Sequence, residues 1–314
     1  MKTIVIGSLN TDLMAVGIKQ FPKPGEHVYG KELLIGAGGK SRNIADMIAR
    51  LAPAHSVAMV GRTVNDPYGL WRQPLAALEE AGVDTNHVNV VDYDKAQKLP
   101  GIALIPVDEN GNNQIFVLPG ISDDFSSDDI DSANSLFESA GHNNGTLVLT
   151  LECPLKTAIH AVRLANKCGL KVLFDPGGIE ADTDLTELIT AGIYLIKPNE
   201  HEAKILTGID VRDFESAKAA ARKLQDKGIE NVLITAGIGG AYLFAGSVEK
   251  HLPIPDIQAN GRKDETGCGD QTMAALCAFL QEGRAPEQAA ELAVRAGTLQ
   301  FHRVGIQPVT KEDL

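Results

Sequence analysis

The segment Asp264-Glu265-Thr266-Gly267-Cys268-Gly269-Asp270 places two carboxylates around a tight Gly-x-Gly turn, and apolar residues with helical spacing follow it. A glycine turn that enters a helix points several backbone N–H groups at one spot. The helix dipole is also positive there, so the turn can hold a phosphate. An aspartate at that spot is poorly placed to bind an anion. Asp270 is therefore a candidate general base beside a phosphate, with helix capping as the alternative.

Further polar residues accompany predicted strand ends and a second glycine turn. Asn10 and Asp12 alternate on an extended stretch, so they would point the same way and could grip neighbouring hydroxyl groups, although both could be turn residues. Glu152 follows the apolar run 147–151. The segment 36–43 (Gly-Ala-Gly-Gly-Lys-Ser-Arg-Asn) offers polar donors at the start of a helix. It does not match a Walker A motif, because Leu34 stands where that motif requires glycine.

Two segments in the second half could serve a nucleotide. Asn199 and Glu202 have the spacing of a capping box at the start of a helix, so capping alone is one interpretation. The segment 235–240 (Thr-Ala-Gly-Ile-Gly-Gly) is a glycine-rich strand end that a nucleotide could approach closely.

Composition limits the class of protein. The chain has 314 residues, 44% hydrophobic and 22% charged, and a net charge of −12. An acidic chain is a poor candidate for binding nucleic acid or an anionic membrane, and no apolar run of membrane-spanning length or signal peptide is evident. The four cysteines form no Cys-x-x-Cys pair, which predicts reduced thiols and a cytoplasmic location.

Short β-rich runs alternate with helical patterns through most of the chain. We expect strands at Thr3–Gly7, Ser56–Val60, Thr146–Thr150, Lys171–Phe174, Tyr194–Ile196 and Val232–Thr235. We expect helices at Ser41–Leu51, Leu70–Ala81, Leu155–Cys168, Phe214–Lys227 and Pro286–Thr298. Apolar strands alternating with helices predict a three-layer α/β fold, with a doubly wound, mostly parallel sheet covered on both faces.

Two regions interrupt this pattern within what we predict to be a single domain over residues 1–314. Residues 12–36 lack a helical pattern, and residues 99–119 read as a hairpin with an Asn-Gly turn at 110–111. Together they predict a small antiparallel sheet that forms a lid, with surface hairpins as the alternative. An exposed sheet edge also invites pairing of two chains into a homodimer. The acidic segment Ser122–Asp131 is expected to be a solvated loop that leads into the N-terminus of a helix.

Three motifs in this order resemble those of the ribokinase (PfkB) carbohydrate kinase family over essentially the whole chain. The family pattern Asp-Thr-x-Gly-Ala-Gly-Asp is matched by residues 264–270, with Glu265 and Cys268 as departures. Gly-Gly-Lys-Gly-x-Asn is matched by residues 38–43, with Ser41 replacing glycine, and Asn-x-x-Glu is matched by residues 199–202. The resemblance implies a ribokinase-like fold, a sugar substrate, ATP and Mg²⁺, with K⁺ as a further candidate cofactor.

The resemblance also implies a role for each matching residue. Asp270 would take the proton from the acceptor hydroxyl, next to an anion hole formed by the N–H groups of Gly267, Cys268 and Gly269. The implied sugar contacts are Asn10, Asp12, Gly39, Lys40, Asn43 and Glu152. The implied ATP contacts are Asn199, Thr235, Gly237 and Gly240. Asn199 and Glu202 would position Mg²⁺, largely through water. A monovalent cation would be held by Asp264 and Thr266, and by a backbone-rich loop that contains Gln300, Arg303 and Gly305.

The implied reaction transfers the γ-phosphoryl group of ATP to a primary hydroxyl of a small, ribose-like sugar. Three features leave the identity of the sugar open. Ser41 replaces a glycine of the family pattern, Arg42 follows it, and Ile121-Ser122 stands where the family often has Ala-Asn. Arg42 could narrow the pocket or meet a charged group. The alternatives are a kinase for fructose or 2-keto-3-deoxygluconate, an adenosine-like nucleoside kinase, and a sensor without turnover. A dinucleotide oxidoreductase is disfavoured, because no Gly-x-Gly-x-x-Gly follows the first strand.

Overall fold

The strands of the protein form two separate sheets in a computed structural model that describes residues 2–257 and 263–314. The strands are β1 (Thr3–Ile6), β2 (Asn10–Ile18), β3 (Glu32–Gly38), β4 (Val57–Val64), β5 (Asp84–Val91), β6 (Gly101–Asp108), β7 (Phe116–Leu118), β8 (Thr146–Thr150), β9 (Lys171–Asp175), β10 (Leu195–Ile196), β11 (Asn231–Thr235), β12 (Ala241–Ala245) and β13 (Val248–Leu252).

Helices connect most of the strands of the larger sheet. They are α1 (Lys40–Leu51), α2 (Arg72–Glu80), α3 (Tyr93–Ala96), α4 (Ser127–Ser132), α5 (Asn134–Gly141), α6 (Leu155–Lys167), α7 (Thr186–Thr190), α8 (Glu200–Thr207), α9 (Phe214–Gln225), α10 (Cys268–Gln281) and α11 (Pro286–Phe301). Short 3₁₀ turns lie at Gly120–Asp124, Gly237–Gly239 and Lys311–Asp313.

The larger sheet has nine strands in the order β13-β12-β11-β10-β9-β8-β1-β4-β5. Its pairs are parallel except at one edge, where β12 pairs antiparallel with both β11 and β13. The prediction of a doubly wound, mostly parallel sheet with a separate small sheet is confirmed. The antiparallel edge strands β12 and β13 were not predicted.

Strand residues alternate between two cores, one on each face of the larger sheet. Ile4 and Ile6 pack with α4 to α9 on one face, whereas Val5 packs with α1, α2, α10 and α11 on the other. Because successive side chains of a strand point to opposite faces, a strand buried on both faces must be apolar throughout. Each such strand can then present polar groups only where it ends.

The smaller sheet has the order β3-β2-β6-β7. Its outer pairs β2–β3 and β6–β7 are antiparallel, and a parallel β2–β6 pair joins them. The register aligns Leu13, Ile35, Leu104 and Phe116 in one row, so these four side chains share one face. That face is apolar and exposed, since Ile35 is 49% and Phe116 54% accessible. We call this row, with Leu33 and Leu118, the outer face of the small sheet.

The helix expected at the end of Ser122–Asp131 is present as α4, but the expectation of a solvated loop before it is wrong. A 3₁₀ turn and α4 occupy most of this segment, and Ile121, Phe125 and Ile130 beside its acidic residues are buried in the core. Buried Asp129 accepts hydrogen bonds from Arg62 Nε and Nη2, both at 3.0 Å. Apolar residues between the acidic ones were the signal for this turn and helix.

Two further observations concern the class of protein. Within residues 2–257 and 263–314, no helix combines the length and apolar character needed to cross a membrane. The four cysteines, which all lie in the described ranges, are free thiols.

Candidate active site

The polar residues of the candidate site lie where parallel strands of the larger sheet end. The strand order reverses at β1, which lies between β4 and β8, and ligands of open α/β sheets bind beyond the strand ends at such a point. Ser8 follows β1, Glu152 follows β8, Asp175 ends β9, Asn199 follows β10 and Thr235 ends β11.

The N-terminus of α10 opens toward these strand ends. Gly267 is the N-cap, in the left-handed region at φ 75°, and a Cβ there would lie 2.6 Å from Ile306 Cδ1, so only glycine fits. Cys268 N–H donates to the Glu265 carbonyl at 3.2 Å, whereas those of Gly267 and Gly269 have no acceptor within the described ranges. Two of the three predicted anion-hole donors are therefore free, and the third closes the turn.

The Asp270 carboxylate lies in the first turn of α10 and is 5% exposed. Its Oδ1 accepts a hydrogen bond from Lys40 Nζ at 3.1 Å, and its Oδ2 accepts one from Asn43 Nδ2 at 2.9 Å. The side chain caps no helix, so the capping alternative is excluded. The negative charge of Asp270 is the largest cause of a raised Lys40 pKa, so the ammonium stays charged.

Glu152 joins the end of β8 to the start of α1. Its Oε2 accepts hydrogen bonds from the Ser8 hydroxyl and, at 2.8 Å, from the Lys40 backbone N–H. Burial raises the pKa of this carboxyl. Glu152 thus fixes the N-terminus of α1, from which Lys40 and Asn43 reach Asp270.

Asn10 and Asp12 share one face of β2, opposite to the outer face of the small sheet. Glycines make room for both side chains, since a Cβ on Gly101 would meet Asn10 Oδ1 at 2.1 Å and one on Gly38 would meet Asp12 Oδ1 at 1.9 Å. Burial raises the pKa of Asp12 to about 6, although the nearby charge of Arg42 opposes this. The sequence placed these two side chains on one face correctly.

Ser41 and Arg42 of the 38–43 motif are both buried. Ser41 is fully buried, and its hydroxyl lies 3.0 Å from the Thr150 hydroxyl. Arg42 is 2% exposed and is held inside the protein by Asp46, with Nη1 to Oδ2 at 3.2 Å. Arg42 thus meets a charged group of the protein itself, Asp46, and its charge also acts on nearby Asp12.

Asn199 and Glu202 form the capping box of α8. Asn199 Oδ1 accepts from the Glu202 N–H, and Glu202 Oε2 accepts from the Asn199 N–H, both at 2.8 Å. Burial raises the pKa of Glu202, and nearby Asp175 adds to this effect. Both residues therefore cap α8, and the second carboxylate oxygen of Glu202, Oε1, takes no part in the box.

The glycine-rich strand end after β11 has two kinds of glycine. A Cβ on Gly237 would meet nothing within 4 Å, so this backbone is open to a ligand. Gly240 has φ 84°, and a Cβ there would lie 2.1 Å from the Leu252 carbonyl oxygen, so this glycine is required by packing. Thr235 is paired with Asn199 through a parallel bridge, which brings the two predicted nucleotide segments together.

The predicted cation residues converge on the loop that precedes α10. Asp264 accepts hydrogen bonds from the N–H groups of Thr266 at 2.9 Å and Gly305 at 2.8 Å. Gln300 Nε2 donates to the carbonyl oxygens of Thr266 and Gly305, while its own buried Oε1 finds no partner in the described ranges. The Arg303 side chain turns away and pairs with Asp313 at 2.9 Å, so only its backbone could face this loop.

Cys268 contributes a neutral thiol to the same loop. Burial, with the charge of Asp264 adding to it, raises the pKa of Cys268 to about 12. Its Sγ donates to the Asp264 carbonyl oxygen at 3.5 Å. The protonated thiol therefore supports the turn through this hydrogen bond.

Sequence reasoning missed a buried ion pair beneath α10. Lys197 Nζ lies 2.9 Å from Asp175 Oδ2, and both side chains are almost fully buried. Burial opposes ionisation of Asp175, but the charges of Lys197 and Lys40 hold its pKa below the usual value. A Cβ on Gly269 would lie 3.6 Å from Lys197 Nζ, so the ammonium lies beside the N-terminus of α10. The available signal was their position at two consecutive strand ends.

Comparisons with known proteins agree with this geometry. A family model described as pfkB family carbohydrate kinase matches residues 2–313. A ribokinase of Haemophilus influenzae is 31% identical over 313 residues, covering 99% of this chain and 96% of that protein. A deoxyribokinase of Salmonella typhi is 31% identical over 294 residues, covering 94% and 90%.

A solved structure shows the same architecture. The Arabidopsis thaliana ribokinase complexed with ribose and ATP superimposes with a TM-score of 0.85 at 28% identity, covering 99% of this chain and 96% of that one. The fold, the strand-end site and these relatives together show that the chain belongs to the pfkB family of carbohydrate kinases and is a phosphotransferase that acts on a sugar.

Proposed function

We propose that this chain transfers the γ-phosphoryl group of ATP to a primary hydroxyl of a ribose-like sugar, with Asp270 as the general base. One observation carries the proposal. The Asp270 carboxylate is 5% exposed, is held by Lys40 and Asn43, and lies at a helix N-terminus whose Gly267 and Gly269 N–H groups meet no acceptor among residues 2–257 and 263–314. A base is thereby fixed beside a site suited to a phosphoryl group.

The proposed step needs little covalent work from the protein. The acceptor hydroxyl gives its proton to Asp270 as its oxygen bonds to the γ-phosphorus, and the bond from that phosphorus to the β–γ bridging oxygen breaks to release ADP. The free N–H groups of α10 and the Lys40 ammonium would stabilise the charge on the transferred group. The raised pKa of Lys40 supports this role, because the ammonium remains charged throughout the neutral range.

The sugar would lie between the small sheet and the strand ends, with residues 12–36 and 99–119 as its lid. Asn10 and Asp12 on β2, the Gly39 backbone, Lys40, Asn43 and Glu152 present donors and acceptors suited to several adjacent hydroxyl groups. Such a polar set favours a free sugar over a nucleoside, whose base needs apolar contact area. The ribokinase and deoxyribokinase relatives support a five-carbon sugar.

ATP would lie along the strand ends of β10 and β11, over the open backbone at Gly237 and beside Thr235 and Asn199. Mg²⁺ would be held at Asn199 and Glu202, largely through water, where it would neutralise charge on the phosphates. The described residues contain no group of three or more His, Cys, Asp or Glu arranged to hold a metal ion. Magnesium fits such a sparse donor set, because it keeps several waters and binds phosphate oxygens.

A monovalent cation, K⁺ for preference, would bind the loop between Asp264 and Gly305 and order the N-terminus of α10. The buried Gln300 Oε1 and the neighbouring carbonyl oxygens of Thr266 and Gly305 supply oxygen donors of the kind that such a cation needs.

A second copy of this chain would cover the outer face of the small sheet. That face presents Leu33, Ile35, Leu104, Phe116 and Leu118 to solvent, each at least 40% exposed. A row of apolar side chains across four strands is unusual on a monomer and marks an interaction surface. An apolar sheet face of this kind is self-complementary when two copies meet about a twofold axis.

The sugar assignment predicts the order of substrates in an ADP-release assay. With ribose, 2-deoxyribose, fructose, 2-keto-3-deoxygluconate and adenosine as acceptors, we expect ribose or 2-deoxyribose to give the highest kcat/KM. Adenosine as the best acceptor would instead identify a nucleoside kinase. If none of these acceptors releases ADP above the blank, the assignment of a ribose-like acceptor is contradicted.

The cation assignment predicts activation by K⁺. At constant ionic strength, replacing tetramethylammonium by K⁺ should raise kcat by about an order of magnitude, because a more ordered anion hole stabilises the transition state better. Asp264→Ala should abolish this activation, whereas Glu312→Gln, an exposed carboxylate in the C-terminal turn, should retain it. Equal rates with and without K⁺ in the unaltered protein would refute the assignment.

The dimer assignment predicts the molar mass of the protein in solution. Light scattering at micromolar concentration should give twice the mass of the 33.4 kDa chain, and Phe116→Asp should give a monomer, because it places a charge in the apolar interface. Val90→Asp on β5 is the matched control, since Val90 is also apolar and 41% exposed but lies outside the small sheet. A monomeric unaltered protein would contradict the proposal.

A further inference from the structure

We propose that Arg42 is a positioning residue that fixes the side-chain amide of Asn43 and, through it, the Asp270 carboxylate. This inference rests on the proposed function, in which Asp270 takes the proton of the acceptor. Arg42 makes no hydrogen bond to Asp270. It acts one contact away, from inside the protein.

The contacts form a continuous chain of hydrogen bonds. Arg42 Nη2 donates to Asn43 Oδ1 and, at 2.7 Å, to the Ala37 carbonyl oxygen. Asn43 Nδ2 in turn donates to Asp270 Oδ2 at 2.9 Å. Both Arg42 and Asn43 are more than nine-tenths buried. Water therefore does not compete for these groups.

The chain of contacts selects one of two orientations of the amide. A carboxamide can rotate by half a turn, which exchanges its oxygen and its NH₂ group. Arg42 can only donate hydrogen bonds, so it can bond to the amide oxygen of Asn43 but not to the NH₂ group. The NH₂ group must then face Asp270, which needs a donor. Without Arg42, the amide oxygen could turn toward the carboxylate and repel it.

Asp46 holds Arg42 in the geometry that this function requires. Arg42 Nη1 lies 3.2 Å from Asp46 Oδ2, one helical turn along α1. A planar guanidinium can meet Asp46, the Ala37 carbonyl and Asn43 at once, because its donors diverge from one rigid plane. A lysine ammonium at the end of a flexible chain cannot span these three acceptors.

Arg50 provides a matched control on the same helix. Its Nε lies 3.1 Å from the other Asp46 oxygen, but it does not contact Asn43 or Asp270. Removal of Arg50 therefore disturbs the same ion-pair network without disturbing the amide. Arg50 also remains as a partner for Asp46 when Arg42 is replaced, which favours folding of the Arg42 variants.

A double-mutant cycle tests the inference. Arg42→Met should lower kcat by about 10- to 100-fold, the range expected when a reacting group is misplaced, while KM for ATP stays within about twofold. In an Asn43→Ala background the same replacement should change kcat by no more than about twofold, because no amide remains to be positioned. Arg50→Met should keep kcat within about twofold of the unaltered protein.

The Arg42→Lys variant distinguishes loss of positioning from loss of charge and from misfolding. It keeps a cation beside Asp46, so it should melt close to the unaltered protein and still show reduced kcat. Normal kcat in Arg42→Met or Arg42→Lys would overturn the proposal. Effects of Arg42→Met and Asn43→Ala that multiply would also overturn it, since they would show that Arg42 acts independently of the amide.

An NMR measurement that requires no turnover tests the positioning role of Arg42 separately from the proposed function. In ¹H–¹⁵N spectra, the side-chain NH₂ resonances of Asn43, identified by their loss in Asn43→Ala, should be protected from hydrogen exchange in the unaltered protein and in Arg50→Met. They should lose that protection in Arg42→Met or Arg42→Lys. Unchanged protection would overturn the positioning role even if the chain phosphorylates no sugar, and lost protection would support it.

Discussion

The Asp270 carboxylate is buried at the N-terminus of α10, and the rest of the site depends on how its charge is satisfied. A buried carboxylate is costly unless a partner of opposite charge and further hydrogen bonds accompany it. Lys40 and Asn43 supply both, at 3.1 and 2.9 Å. Because both come from the first turn of α1, the two helices must meet N-terminus to N-terminus. The positive end of the α10 dipole adds to the stabilisation.

The two helix N-termini can approach each other because glycines leave room around the contact. Gly267 takes a left-handed conformation against Ile306, and a Cβ on Gly177 would lie 2.5 Å from Lys40 Cε. Glu152 anchors the start of α1 at the end of β8, so the position of Lys40 is tied to the larger sheet. The small sheet is tied in the same way, since β3 leads through Gly39 directly into α1. The polar side chains Asn10 and Asp12 of β2 and the proposed base Asp270 therefore belong to one connected framework.

The features that could be predicted are those set by residues close together in the sequence. The doubly wound sheet followed from apolar strands that alternate with amphipathic helices, and the start of α10 followed from two glycines before a helical pattern. Contacts between residues distant in sequence could not be read in this way. The Asp175–Lys197 pair and the Arg42–Asn43–Asp270 chain depend on which strand ends and helix starts become neighbours. The packing of Gly240 against the Leu252 carbonyl oxygen is a further contact of this kind.

The segment Ser122–Asp131 shows a different limit. Its acidic residues suggested a solvated loop, yet Phe125 and Ile130 bury into the core and Asp129 pairs with Arg62. A count of charges misses a short helix whose few apolar residues all face inward. The departures at Ser41 and Arg42 are a similar case, because a charged or polar residue near a pocket can be satisfied entirely inside the protein.

The kcat of Asp270→Asn with the best sugar measures most directly whether Asp270 is the base. The replacement keeps the shape of the side chain but removes its capacity to accept the proton, so we predict a fall in kcat of about 10²- to 10⁴-fold. Binding of ATP, measured by calorimetry, should stay close to that of the unaltered protein. Asp131→Asn, whose side chain is 62% exposed, controls for loss of a carboxylate elsewhere and should leave kcat unchanged. An Asp270→Asn variant with nearly full kcat would contradict the assignment of the base.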